Sequence, residues 1–222
     1  MISFDAIIFD FDGVLLESEL ELNRLTAELL TNLGAPTTLE EALQFFTGLT
    51  GPDLMKVIEN RLGGPVPTSF NEEMRRASAR ALDGGLEPLI GAVDFVRALP
   101  PALPRAVASS SSTRWIRTHL DHLGLRDSFE PHIYSGKEHV TRGKPEPDLY
   151  LHAADELGID IVRAVVLEDS RVGATGALAS GATVIGLAAG KHCLDGHDEI
   201  LRNVGVEHVA RSFGEVRRLL GL

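Results

Sequence analysis

The feature that most constrains this chain is a series of short, continuously apolar segments that each end abruptly in polar residues. The first, Ala6–Phe9, runs directly into Asp10. Comparable segments recur at 106–108, 164–167 and Thr183–Leu187, with weaker ones at 132–134 and 208–210. An apolar run without alternation is typical of a strand buried on both faces of a parallel sheet. Helical patterns that stop at glycine separate these segments, so the sequence predicts an α/β fold with a parallel sheet.

The stretch from 16 to 86 interrupts this rhythm, because it contains four helical patterns and no convincing strand. Four leucines share one helical stripe: Leu22, Leu25, Leu29 and Leu33. Two capping boxes are expected, formed by Thr38 with Glu41 and by Ser69 with Glu72. The adjacent Gly84 and Gly85 suit a hinge. We therefore expect a helical domain at 16–86, inserted after the first strand into a discontinuous core made of 1–15 and 87–222.

Charge and cysteine content limit the partners of the protein. Its formal net charge is −11, and so acidic a body repels phosphate backbones and anionic headgroups. We expect no nucleic-acid or membrane partner. The single cysteine, Cys193, fits a reducing compartment, and the N-terminus lacks a signal-peptide pattern. We expect a cytoplasmic protein that is a monomer or a weak dimer.

Polar side chains follow several of the predicted strands at the edge where ligands collect in such sheets. They are Asp10 and Asp12 after the first strand, Ser109 to Ser112 after the next, Lys144 in a loop, and Glu168 and Asp169 after the 164–167 segment. Because the carboxyl ends of parallel strands share one edge, the sequence predicts a crevice that contains up to four carboxylates, a lysine and a hydroxyl.

Converging carboxylates repel one another unless a cation neutralises them, so this crevice favours a metal site. Its donors are oxygens, which Mg²⁺ prefers, and no His or Cys of the kind that zinc requires occurs in these loops. Asp10, directly at the strand end, is the candidate nucleophile toward phosphorus, and Asp12 is the candidate general acid and base. Lys144 and the Ser109 hydroxyl are candidates for holding phosphoryl oxygens.

Four motifs in this order resemble the haloacid dehalogenase-like superfamily. They are DFDGVL at 10–15, Ser109 after a strand, Lys144 in GKPEPD, and LEDS at 167–170 followed by Gly173. The resemblance covers the whole chain and includes a helical cap between the first two motifs. It implies a Rossmann-like core with a cap of the phosphoglycolate-phosphatase and β-phosphoglucomutase type. It also implies a Mg²⁺ cofactor and an aspartyl-phosphate intermediate.

The resemblance further implies roles for single residues. Asp10 and Asp169 are metal ligands, Asp12 contributes its backbone carbonyl to the metal, and Glu168 helps directly or through a water. Members that cleave carbon–halogen bonds lack the second aspartate, so Asp12 indicates phosphate chemistry. The expected substrate is a small phosphate ester, with a sugar or sugar-acid phosphate as the leading class.

Substrate choice should lie in the cap, where the sequence is less informative. Candidate substrate-binding residues are Glu17, Ser18, Arg24, Lys56 and, at the second strand end, Ser110. The loop at 48–53 resembles the specificity loop of the family but contains no arginine. Phosphomutases of the β-phosphoglucomutase type have a His and an Arg where this chain has Leu22 and Gly51, so mutase activity is the disfavoured alternative.

Two readings outside enzymology remain open. Receiver modules of signalling systems also phosphorylate an aspartate beside Mg²⁺, but they are about half this length and lack a cap. Their phosphoaspartate is long-lived, whereas Asp12 should activate water here. A noncatalytic binding protein on the same fold would be expected to have lost a catalytic carboxylate or the lysine, and this chain retains all of them.

Overall fold

A six-stranded, entirely parallel sheet forms the centre of the protein in this computed structural model, which describes residues 2–49 and 51–222. Its strands are β1 (Ala6–Phe9), β2 (Arg105–Ser109), β3 (Ile133–Ser135), β4 (Ala164–Glu168), β5 (Thr183–Leu187) and β6 (His208–Ala210). Their order across the sheet is β3-β2-β1-β4-β5-β6. The chain thus winds outward in both directions from β1, and the predicted α/β fold with a parallel sheet is confirmed.

Helices cover both faces of the sheet, which explains why its strands are apolar without alternation. The helices of the core are α5 (Ala92–Ala98), α6 (Thr113–Leu123), α7 (Asp148–Glu156), α8 (Arg171–Ser180), α9 (His197–Asn203) and α10 (Phe213–Leu220). Helices α5, α6 and α10 pack on one face, against Ile7 and Phe9. Helices α7, α8 and α9 pack on the other, against Ile8. The two faces therefore have separate apolar cores.

Four helices lie between β1 and the rest of the core: α1 (Glu19–Asn32), α2 (Leu39–Phe46), α3 (Gly51–Leu62) and α4 (Thr68–Gly84). They surround a third apolar cluster that includes Leu30, Phe46, Ile58 and Phe70. The predicted helical cap inserted after the first strand is thereby confirmed. The exact limits predicted for the domains, 16–86 against 1–15 with 87–222, stay predictions.

Local details of the cap differ from the sequence-based expectations. The capping box of Thr38 with Glu41 is present, but the predicted box of Ser69 with Glu72 is wrong. Pro67 occupies the N-cap position and the helix begins at Thr68, so Ser69 lies inside the first turn and cannot cap it.

The buried stripe of α1 also differs from the leucine stripe. Leu22 and Leu33 are more than a third exposed, and the buried positions are Asn23, Thr26, Ala27 and Leu30. The polar groups of Asn23 and Thr26 hydrogen-bond to carbonyl oxygens one turn earlier, which allows their burial.

No helix among the described residues combines the length and the apolar character that crossing a bilayer requires.

Candidate active site

The pairing of β1 with β4 brings the two acidic strand ends together. Phe9 is in register with Leu167, so Asp10 lies beside Glu168 and Asp169. Carboxylate oxygens of these three residues lie within 4.8 Å of one another, and all three residues are buried. The edge of the sheet that the sequence singled out is therefore a concentrated acidic site.

Lys144 neutralises one half of this site. Its Nζ donates to Asp10 Oδ1 and to Glu168 Oε1, each at 2.6 Å. Burial opposes the charge of the ammonium, but the two carboxylates outweigh it and hold the pKa of Lys144 well above its usual range. Burial also raises the pKa of Asp10 well above its usual range, against the lowering effect of Lys144. Asp10 and Lys144 thus form a buried ion pair.

Glu168 is fully occupied by hydrogen bonds within the protein. Its Oε1 accepts from Lys144 and from the Tyr150 hydroxyl at 2.8 Å, and its Oε2 accepts from the backbone N–H and hydroxyl of Ser170 at 2.9 and 3.0 Å. A Cβ on Gly173 would lie 1.7 Å from Oε1, so only glycine leaves room for this carboxylate. These contacts show that Glu168 orients the Lys144 ammonium, and its predicted role at the metal, directly or through a water, stays a prediction.

Asp169 is the opposite case, because no donor among the described residues hydrogen-bonds to its carboxylate. It is 1% exposed, and neither carboxylate oxygen has a hydrogen-bond partner among the described residues. His192 Nε2 lies 2.8 Å from Oδ2, but outside hydrogen-bond geometry. Burial raises the pKa of Asp169 well above its usual range, and Glu168 adds to the effect. The backbone of Gly13, at a φ of +80°, passes so close that a Cβ would lie 2.0 Å from Oδ2.

The donor set therefore fits a hard divalent cation. Bare oxygens on a buried carboxylate are costly unless a cation or a donor satisfies them. Asp169 and Asp10 supply such oxygens next to each other, and oxygen-only coordination matches Mg²⁺. A cation here would lower the pKa of both carboxyl groups, which burial has raised.

Asp12 is fixed by side chains from three parts of the chain. Its Oδ1 accepts from the Ser18 hydroxyl at 2.6 Å and from the Trp115 indole N–H at 3.1 Å. Its Oδ2 accepts from Ser111 at 2.6 Å and, more weakly, from Ser109 at 3.4 Å. Ser18 and Ser109 were predicted site residues. Ser111 lay within the serine run that the sequence marked, whereas Trp115 had no sequence signal.

A cavity of about 850 Å³ opens above these residues, between the core and the cap. Among the predicted substrate-binding residues, Ser18, Arg24 and Ser110 line it. Glu17 and Lys56 are not among its lining residues. Glu17 is buried and accepts from the backbone N–H of Lys191 at 3.3 Å, and Lys56 is exposed on α3. Within the predicted specificity loop, Gly48, Leu49 and Gly51 line the cavity, while Thr50 lies outside the described residues.

Glu19, at the start of α1, is a further site residue that sequence reasoning missed. It lines the cavity, and burial followed by the negative charge of Asp169 raises its pKa to about 8, with His192 opposing the rise. Its carboxyl group is thus protonated at neutral pH in the metal-free protein. Nothing in its sequence context distinguishes it from the exposed Glu21 of the same helix.

The chain is similar to known proteins over most of its length. The profile of the haloacid dehalogenase-like hydrolase family matches residues 7–187. The 6-phosphogluconate phosphatase of Escherichia coli is 26% identical over 193 residues, which cover 86% of each chain. Hexitol phosphatase A of the same organism is 31% identical over 186 residues, 82% of each chain.

A solved structure agrees with these relatives. A haloacid dehalogenase family hydrolase from Deinococcus radiodurans, with bound phosphate and sodium, superposes with a TM-score of 0.80 at 33% identity. The match covers 98% of this chain and 95% of that one. The chain belongs to the haloacid dehalogenase-like hydrolase family. The family and the class of enzyme predicted from the motifs are confirmed.

Proposed function

We propose that this haloacid dehalogenase-like phosphoric monoester hydrolase uses Mg²⁺ to remove phosphate from a small sugar or sugar-acid phosphate through a phosphorylated Asp10. The observation that carries the proposal is the contrast between two neighbouring buried aspartates. Asp169 has no hydrogen-bond partner among the described residues, whereas Asp10 accepts a hydrogen bond from Lys144. This pair of carboxylates is suited to binding a divalent cation and to reacting with a phosphoryl group.

Asp10 has one oxygen for positioning and one for attack. Its Oδ1 accepts the hydrogen bond from Lys144, and no donor among the described residues reaches its Oδ2. In the first step Oδ2 forms a bond to phosphorus while the bond from phosphorus to the ester oxygen breaks. Asp12 donates a proton to the departing oxygen, so the product alcohol leaves neutral.

The second step regenerates the enzyme with the same residues. Asp12, now a carboxylate, accepts a proton from a water molecule, and the resulting oxygen attacks the phosphorus of phosphorylated Asp10. The bond between phosphorus and Oδ2 breaks, and inorganic phosphate is released. Lys144 and the Ser109 hydroxyl are the donors assigned to the phosphoryl oxygens.

Mg²⁺, held by Asp10, Asp169 and the backbone carbonyl of Asp12, would neutralise charge on the phosphoryl group in both steps. Glu168 keeps Lys144 oriented throughout, since it shares the ammonium with Asp10.

The size and lining of the cavity support the substrate class. About 850 Å³ is far more than a phosphate ion occupies and is in the range of sites for small organic ligands. Its lining includes cationic side chains that could bind a second anionic group, namely Arg24, Arg80 and Lys137. It also includes carboxyl and hydroxyl side chains that could bind a polyol, namely Glu19, Ser18 and Ser110. The phosphatase relatives act, by their names, on 6-phosphogluconate, which has a carboxylate as its second anionic group, and on hexitol phosphates, which are polyols.

Hydrolysis is favoured over the phosphomutase alternative. A mutase must move a proton on the hydroxyl that receives the phosphate, from a group on the cap side of the cavity. Leu22 and Gly51, at the positions where mutases have His and Arg, both line the cavity and cannot do so.

Phosphate release from a panel of phosphorylated sugars, sugar acids and polyols tests the proposal. The protein is stripped with a chelator and assayed with and without Mg²⁺, and inorganic phosphate and sugar isomers are both measured. We expect Mg²⁺-dependent phosphate release from at least one member, with no isomer and no release by an Asp10→Asn preparation. No release from any member, or isomer formation without phosphate, would refute the proposal.

A further inference from the structure

A second group of metal-binding side chains lies next to Asp169. It consists of His192, Cys193 and His197, on the segment that follows β5, and is called here the His–Cys–His cluster. One ligand atom from each of the three residues lies within 4.8 Å of the others. The mechanism described above uses none of them.

The distances in the cluster are close to those that a tetrahedral metal requires. Cys193 Sγ lies 3.3 Å from His192 Nε2, and Asp169 Oδ2 lies 2.8 Å from the same nitrogen. With metal–ligand bonds of about 2.0–2.3 Å, two ligand atoms around tetrahedral Zn²⁺ are separated by about 3.3–3.6 Å. Both of these separations thus lie within about half an ångström of the required spacing, and His197 offers a ligand atom within 4.8 Å of those of His192 and Cys193.

His192 is buried with only one of its two ring nitrogens hydrogen-bonded among the described residues. It is 2% exposed, and its Nδ1 has no hydrogen-bond partner among the described residues. A Cβ on Gly190 would lie 2.4 Å from that nitrogen, so glycine is needed for the ring to fit. The ring is therefore aimed with Nε2 toward Cys193 Sγ, which lies within hydrogen-bond distance at 3.3 Å, and toward Asp169.

His197 anchors the other side of the cluster. Its Nε2 lies 2.6 Å from the backbone oxygen of Asp169, which can only accept, so this nitrogen donates and Nδ1 carries the lone pair. A ligand histidine whose other nitrogen donates to a carbonyl is the usual arrangement in zinc sites. Cys193 and His197 are each partly exposed, which gives an ion access from solvent.

We propose that the His–Cys–His cluster binds a thiophilic divalent cation of the Zn²⁺ type, with the carboxylate of Asp169 as the fourth ligand. The combination of imidazole, thiolate and one carboxylate suits Zn²⁺ and excludes Mg²⁺, which prefers oxygen donors. Burial raises the pKa of the Cys193 thiol, so the cation must displace its proton on binding.

Inhibition of the enzyme follows from the shared aspartate, and this consequence rests on the proposed function. A carboxylate committed to a cation in the cluster is withdrawn from the Mg²⁺ site. Zn²⁺ should therefore inhibit competitively with respect to Mg²⁺, because both ions use Asp169, and should not compete with the substrate.

Absorption spectroscopy with Co²⁺ tests the binding without reference to activity. Cys193 is the only cysteine in the chain, so any thiolate-to-cobalt charge-transfer band must come from it. We expect metal-free protein to take up one Co²⁺ with an intense near-ultraviolet band that Zn²⁺ abolishes. Cys193→Ser should lose the band, and His197→Ala should weaken Co²⁺ binding at least tenfold. His122→Ala, an exposed histidine outside the cluster, should behave as wild type.

Protection of the thiol gives a second measurement on the unmodified chain. Zn²⁺ should slow alkylation of Cys193 at least tenfold, whereas Mg²⁺ should not. Co²⁺ binding without the charge-transfer band, or a band that survives His197→Ala at full affinity, would overturn the proposal. A band in a protein that releases no phosphate would leave the cluster standing and refute the proposed function alone.

Discussion

The two walls of the cavity use charge in opposite ways. On the core wall, Lys144 and Glu168 form an ion pair whose side chains are 4% and 0% exposed. On the cap wall, Arg24 pairs with Glu21 and Glu28, and these side chains are 55–56% exposed. Water screens the exposed ion pairs of the cap, whereas the buried charges of the core are compensated only by neighbouring protein groups.

This difference in burial separates the residues that catalyse the reaction from those that select the substrate. Losing one partner of a buried pair strands the other charge and costs about 3–5 kcal/mol, whereas an exposed pair contributes about 0–1 kcal/mol. The core wall must therefore keep its composition to fold and to react. The cap wall can change residues at little cost, which suits the part of the site that selects the substrate.

Replacement of the nucleophile should have the largest effect. Asp10→Asn removes the attacking carboxylate, and we expect kcat to fall by at least a thousandfold, about 4 kcal/mol of transition-state stabilisation. Asp5→Asn, an exposed aspartate just before β1, is the matched control and should stay within about twofold of wild type. Steady-state phosphate release measures both. Retention of more than a thousandth of the wild-type rate would show that Asp10 is not the nucleophile.

Removal of the core cation should affect activity and stability together. Lys144→Met leaves Asp10 and Glu168 buried without a counter-charge, and we expect unfolding to require about 3 kcal/mol less in urea titrations. We also expect kcat to fall by at least about a hundredfold because a donor to the phosphoryl group is lost. Lys137→Met, an exposed lysine that also lines the cavity, should change stability by less than about 0.5 kcal/mol. Equal effects of the two variants would show that the burial of the Lys144 ion pair does not determine its contribution to stability and activity.

Glu19 lies where the two walls meet and should make the metal-free protein sensitive to pH. The folded protein keeps the proton of Glu19 up to about pH 8, while the unfolded chain loses it near 4.5. Stability should therefore fall as pH rises between these values. Between pH 5 and 7, Glu19→Gln should reduce the decline in the free energy of unfolding by about 2 kcal/mol.

The matched control for this change is Glu21→Gln, which alters an exposed carboxyl group on the same helix. It should keep the full wild-type decline in denaturant titrations performed in the presence of chelator. A decline of the same size in Glu19→Gln would show that Glu19 is not the group responsible.

The smallest effect is expected on the cap wall. Arg24→Ala should raise KM by about threefold to tenfold with kcat nearly unchanged, because an exposed arginine can contribute only uniform binding of the substrate. Lys56→Ala should leave KM within about twofold, since Lys56 does not line the cavity. A larger rise in KM for Lys56→Ala than for Arg24→Ala would reverse the assignment of the cap residues.

The sheet and the acidic strand ends were predictable for one reason. A continuously apolar segment such as Ala6–Phe9 is stable only when both of its faces are buried. Asp10 then lies at the carboxyl ends of the parallel strands, where ligands bind in such sheets. The sequence did not predict the strand order, but once β1 pairs with β4 the meeting of Asp10 with Asp169 follows from the topology of the sheet.

Contacts that depend on side-chain direction were not predictable. The sequence marks four consecutive serines, but only the backbone decides that Ser111 reaches Asp12 while Ser112 caps α6. The burial of Asn23 and Thr26 in place of the leucine stripe depends on local hydrogen bonds that an apolar pattern does not describe. The raised pKa of Glu19 depends first on the burial of its carboxyl group and then on the nearby charge of Asp169, and both follow from tertiary packing.

Calorimetric titration of Mg²⁺ into chelator-treated protein tests most directly whether the carboxylate of Asp169 is a ligand of the cation. Wild type should bind one Mg²⁺, Asp169→Asn should bind it at least about a hundredfold more weakly, and Asp94→Asn, on the exposed side of α5, should match wild type. Equal affinity of Asp169→Asn and wild type would contradict the account.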